Sequence, residues 1–78
     1  MSVDRYSYNE LLAAVDKNPS TKNINNLVEW FNCYGNEYWT GECWTIDKNR
    51  ALYPVYDWEK FDENEVNLDK FLIGYEIR

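Results

Sequence analysis

The chain has 78 residues, with 14 acidic and eight basic side chains, a net charge of −6 and no histidine. That length accommodates one domain, and the negative balance works against direct contact with nucleic-acid phosphates or an anionic membrane surface. No apolar run approaches the ~20 residues needed to span a bilayer.

Residues 1–6 form a polar lead without the apolar run of a secretory signal, so the expected compartment is the cytoplasm. There Cys33 and Cys43 are expected as free, half-buried thiols. A disulfide between the end of the second helix and the first strand is the alternative.

Ser7 and Glu10 have the spacing of a capping box, in which each side chain satisfies a backbone N–H at the start of a helix. Tyr8, Leu11, Leu12 and Val15 then repeat on one helical face for about three turns. Asn18-Pro19 stops that helix, because a proline disfavours helical geometry in the residue before it. Ser20 or Thr21 can cap a second helix. Its stripe is Ile24, Leu27, Val28, Phe31 and Tyr34, flanked by Trp30 and Cys33, and Gly35 is expected as its left-handed stop. The asparagines from Asn23 to Asn26 read as a solvated face of this helix.

Strand formers take over from Tyr38. The segment from Trp39 to Ile46 predicts a first strand, the chemistry of Asp47-Lys48-Asn49-Arg50 a turn, and Leu52–Tyr56 a second strand. Pro54 has no N–H to donate, so this second strand is expected at a sheet edge, or bulged at the proline. After a charged connection over 57–70, residues 71–77 predict the last strand. In it Phe71, Ile73, Tyr75 and Ile77 share one face and Leu72, Gly74 and Glu76 the other. The predicted fold is α+β, with two N-terminal helices packed on a three-stranded antiparallel β-meander (ααβββ).

The charge is concentrated. Asp57, Glu59, Asp62, Glu63, Glu65 and Asp69 are opposed within 57–69 only by Lys60, a net of −5, whereas residues 1–56 carry seven acids and five bases, a net of −2. In extended chain, carboxylates two residues apart stand about 6.5–7 Å from each other on one side. Such a segment can reproduce part of the field of a nucleic acid and dock against a basic groove. The bland alternative is a solvated loop that aids solubility.

Other chemistry is poorly represented. Asp62-x-Asn64 opens like a calcium loop, but Val66 takes the next ligand position and no glycine follows, so no metal site is expected. Cys33 has no histidine to activate it and lies near a helix C-terminus, the wrong end to stabilise a thiolate. No pair of acids stands out for hydrolysis, and the three glycines are too scattered to cradle a phosphate. No cofactor is implied, and a binding protein is expected over an enzyme.

The aromatic residues Tyr34, Tyr38, Trp39, Trp44, Tyr53, Tyr56 and Trp58 suit core and cross-strand packing. Fourteen aromatic residues in all are more than so small a core is expected to enclose, so some should reach the surface. Trp39 and Trp58, at strand margins among polar neighbours, are the expected exposed anchors for a partner; stacking on a sugar ring is a weaker alternative.

The stretch Leu27–Gly35, then Tyr38-Trp39-x-Gly41-Glu42, Leu52–Tyr56 and Gly74-Tyr75-Glu76-Ile77 resembles a pattern in small uncharacterised proteins of bacterial mobile elements and prophages. Small acidic proteins of that setting include anti-CRISPR and antirestriction inhibitors, several of which occupy a DNA-binding groove. The resemblance implies an inhibitor of a basic, nucleic-acid-handling effector and assigns no residue; the concentrated charge and the adjacent aromatics point to docking through Asp57, Trp58, Glu59, Asp62, Glu63, Glu65, Asp69 and Trp39. The rival expectation is an assembly module, a homodimer joined through the strand edge inferred at Pro54.

Overall fold

The computed structural model describes residues 3–78. It shows the α+β arrangement: α1 (Tyr8–Lys17), α2 (Thr21–Tyr34), then β1 (Trp44–Thr45), β2 (Ala51–Tyr56) and β3 (Leu72–Ile77), with single 3-10 turns at Asn36–Tyr38 and Leu68–Phe71. The three strands form one antiparallel sheet in the order β1-β2-β3.

The helix pair is fixed by local polar chemistry. Ser20 caps α2 by accepting from the Asn23 N–H at 3.2 Å. The Asn23 amide also donates to the Asn18 carbonyl at 2.9 Å and approaches that of Ala14, so this asparagine ties the two helices together and is only half exposed. The capping box expected at Ser7 does not form. Ser7 is already in helical geometry, and its hydroxyl accepts from the Asp4 N–H. Asp4 in turn accepts from the Tyr6 N–H at 2.8 Å, so the aspartate organises the turn ahead of the helix.

Both helices turn their apolar stripes inward. Leu11, Val15, Leu27 and Phe31 meet Trp44 and Leu52 of the sheet in one core. Phe31 lies parallel to Trp44 at 5.6 Å and meets Tyr8 and Trp30 edge-on. Gly35 ends α2 at φ −117°, not in the left-handed region. Its role is steric, because a Cβ there would stand 2.8 Å from the rings of both Phe31 and Trp30. The cysteines differ from expectation: both are free thiols, but Cys43 is buried and Cys33 is exposed.

The first strand is much shorter than its composition predicts. Thr40 bends the chain back. Its N–H donates to the Cys43 carbonyl at 2.9 Å and its hydroxyl accepts from the Glu42 and Cys43 N–H groups. Gly41, at φ +103°, takes the left-handed position of this turn, where a side chain would be strained. Trp39 and Trp44 are thereby brought opposite each other as a lone bridge.

Pro54 is in the middle strand, not at an edge. Ala51 and Arg78 exchange both backbone hydrogen bonds, and the register runs Leu52↔Ile77, Tyr53↔Glu76, Pro54↔Tyr75. Bonding pairs alternate along an antiparallel ladder, so the missing donor of Pro54 points towards β1. There β1 has already ended, with its last pair at Trp44↔Leu52. The proline costs no ladder bond.

The bulge falls one step further on and belongs to β3. Val55 faces Gly74 but Tyr56 faces Leu72, which leaves Ile73 as the extra residue. The expected alternation fails here. Ile73 swings outward to 68% exposure, and Leu72 turns to the same side as Tyr56, Pro54 and Tyr75. No helix of the described residues is long and apolar enough to cross a membrane.

Candidate functional site

The acidic segment is a loop closed at its neck. The Asp57 N–H donates to the Phe71 carbonyl at 2.7 Å, joining the end of β2 to the start of β3. Between them the chain folds into successive turns, each held by one of its own acids or amides. Asp57 accepts from the Glu59 N–H, Asp62 from the Asn64 N–H at 2.9 Å, Glu65 from the Asn67 N–H, and Asn67 from the Asp69 N–H. Three of the six predicted carboxylates thus shape the loop that carries them.

Neutralisation is slight. Glu65 meets Lys70 at 2.9 Å, and this ion pair, helped by the Asn67 N–H, holds the Glu65 carboxyl below its usual range. Among the described residues no ion pair reaches Asp57, Glu59, Asp62, Glu63 or Asp69. Of the other cations, Arg50 bridges Asp16 on α1 and Asp47 in the β1–β2 turn and Arg78 pairs with Glu76, while Arg5, Lys17, Lys22, Lys48 and Lys60 form no ion pair among the described residues. No group of three or more metal-ligating side chains is assembled among the described residues.

A ladder of rings pins this loop to the sheet. Tyr56 meets Trp58 at 5.4 Å, Trp58 meets Phe61 at 5.4 Å, and Phe61 meets Phe71 at 5.6 Å. Trp58 is still 63% exposed. Trp39, on the far side of the sheet's open end, leans on Trp44 at 4.8 Å and is 41% exposed.

Between these two tryptophans the surface is concave. A half-open cleft of about 700 Å³ has Pro54, Tyr56, Leu72 and Tyr75 from the sheet, Trp39 beside them and Asp69 contributed by the acidic loop. A second recess, of about 600 Å³, shares Trp39, Pro54 and Tyr56 and continues to Trp58 and Leu68. Trp39 and Trp58 therefore border one recess, and Trp39 and Asp69 border the other. Asp57, Glu59, Asp62, Glu63 and Glu65 line neither and stand on the loop beyond. Burial raises the Tyr75 phenol, and the negative charge of Asp69 adds to that rise, which marks how close the two groups lie.

Sequence reasoning finds Trp39, Trp58 and the acids by composition and flanking polarity. It misses Tyr75 and Leu72 as cleft residues, together with Asn32 near the end of α2 and Asn36 in the 3-10 turn after it. The convergence of Leu72 with Tyr75 depends on the bulge at Ile73, and Gly74 beside it is the residue type that signals a bulge inside a strand. No family model matches the chain, and neither a curated protein nor a solved structure is significantly similar to it.

Proposed function

We propose that this chain is a small binding protein that docks its acidic loop, residues 57–69, onto a basic surface of a nucleic-acid-handling protein and inhibits it by occupying that surface. The observation that carries this reading is the set of six carboxylates on one closed loop, of which, among the described residues, only Glu65 is paired with a cation. Beside them stand two exposed tryptophans, the residue type favoured as an apolar anchor in interfaces. An inhibitor of the anti-CRISPR or antirestriction kind fits this combination. The two recesses hold one carboxylate each, Asp69 in the larger and Glu42 in the smaller, which favours binding over two-carboxylate hydrolysis.

Self-association through a strand edge has less support. The strand invoked for it is central, and the long edge belongs instead to β3, where the bulge at Ile73 interrupts the regular row of outward-pointing groups.

The test is affinity capture from the native host, followed by binding assays with the purified partner. A captured nucleic-acid-binding effector should lose DNA or RNA binding when the chain is added. Substituting Asp62→Asn, Glu63→Gln and Glu65→Gln together keeps the turn acceptors and removes three charges. It should weaken the complex about tenfold or more, and wild-type affinity should fall as salt rises. A partner that still binds its nucleic acid in the presence of the chain, or that binds the triple variant at full strength, overturns the reading.

A further inference from the structure

We propose that the larger cleft is the seat of an arginine side chain of the partner, its guanidinium held between the aromatic rings and the Asp69 carboxylate. This rests on the reading of a basic partner and names the contact that would give it specificity.

Four aromatic residues, Trp39, Trp44, Tyr56 and Tyr75, line the cleft, and no lysine or arginine does. Three of the rings are contiguous: Trp44 lies 4.8 Å from Trp39 and 6.0 Å from Tyr75, centroid to centroid. Aromatic faces carry negative potential and attract cations, more strongly where water is partly excluded. Asp69 is the one charged group in the lining. Its carboxylate has no hydrogen bond or ion pair among the described residues; only its backbone is engaged, the N–H donating to Asn67 and the carbonyl accepting from the Leu72 N–H.

An uncompensated carboxylate beside aromatic rings, next to a loop of net −5, selects for positive charge. A planar guanidinium suits it better than an ammonium, because it stacks flat on a ring while its edge forks to a carboxylate. The volume exceeds one side chain and leaves room for the backbone that carries it. Asn32 and Asn36 supply amide acceptors at the helix side. A neutral sugar could use rings and amides too, but it would leave Asp69 without a countercharge.

The test is a titration of the purified chain with N-acetyl-arginine-N-methylamide, followed by the indole N–H resonances of the four tryptophans and by fluorescence. The uncharged isostere N-acetyl-citrulline-N-methylamide and methyl glucoside serve as comparisons. Saturable binding at millimolar concentration is expected, with shifts centred on Trp39 and Trp44 and an affinity about tenfold above that for citrulline. Asp69→Asn, an isosteric change at an exposed site, should remove most of that preference. Trp39→Ala should weaken binding of arginine without changing the fold, checked by near-ultraviolet circular dichroism. Equal binding of citrulline, an unaffected Asp69→Asn variant, shifts confined to other tryptophans, binding of the glucoside alone or no saturation would each overturn the proposal. The triple variant Asp62→Asn, Glu63→Gln, Glu65→Gln should still bind arginine saturably with shifts centred on Trp39 and Trp44 and keep the preference over citrulline, because none of the three lines the cleft; loss of both would overturn the proposal. Failure of the cleft and failure of the loop as a docking surface are thereby distinguishable.

Discussion

Trp30 and Trp58 show how differently one residue type is used at the two ends of this molecule. Trp30, on α2, is 7% exposed, donates its indole N–H to the Arg5 carbonyl at 3.2 Å and packs against Tyr8 and Phe31. Trp58, at the start of the acidic loop, touches two rings and leaves most of its surface to solvent. Aromatic area at the helical end contributes to stability, whereas at the strand-and-loop end it is left facing solvent. A small chain that must reserve such area elsewhere depends heavily on a few buried rings.

The sharpest way to break this contrast is to truncate one ring at each end. Phe31→Ala empties a fully buried site and should cost about 3–5 kcal/mol in urea unfolding. That approaches the whole stability of a chain this size, about 4–12 kcal/mol. Trp58→Ala should cost under about 1 kcal/mol. Similar losses from the two would mean that the loop is part of the core and the division is mistaken.

Two glycines sharpen it at intermediate scale. An alanine at Gly35 would press its Cβ onto Trp30 and Phe31, whereas one at Gly74, on the open sheet, would meet nothing within 4 Å. Thermal unfolding should show Gly35→Ala destabilised by about 1–3 kcal/mol and Gly74→Ala neutral or slightly stabilised.

Acid gives the smallest effect. Asp47 is held below its usual range, first by the Asn49 N–H and then by Arg50, and Glu65 first by Lys70. Carboxyls depressed in the folded state contribute stability above their unfolded pKa and lose it as pH falls through the folded one. Both contributions should therefore fade between about pH 5 and pH 3. Hydrogen exchange should loosen modestly in both the 57–71 loop and the β1–β2 turn. Glu65→Gln should flatten the acid dependence in the loop alone, and an equal change in the turn would contradict the assignment.

The helical end was the more legible in sequence. Apolar spacing, Pro19 and Ser20 act within a few residues of where they stand, so α1 and α2 follow from them. The capping box at Ser7 misleads because the Asp4 backbone takes up both the Ser7 hydroxyl and the Ser7 N–H, an outcome that spacing alone cannot rank. The first strand shrinks because the Thr40-Gly41 turn overrides the strand preference of Trp39 and its neighbours. Pro54 marks a point of β2 with no bond to donate towards β1, but the edge expected from it is not found, because the place of that strand depends on β3 and on how far β1 extends. As for the candidate site, the acids and exposed tryptophans are visible as composition. The cleft is not, since it forms only where the one-residue slip at Ile73 brings Leu72 round to Tyr56 and Tyr75.

The pairing Leu52↔Ile77 also bears on how the chain reaches its native state. Helix contacts are local, whereas β2 and β3 meet only after the long segment between them has closed, and contacts distant along the chain form late. That segment is the one crowded with like charge. Mutual repulsion opposes its closure, and counterions relieve it, so the residues assigned to capturing a partner set a kinetic toll on the protein's own assembly.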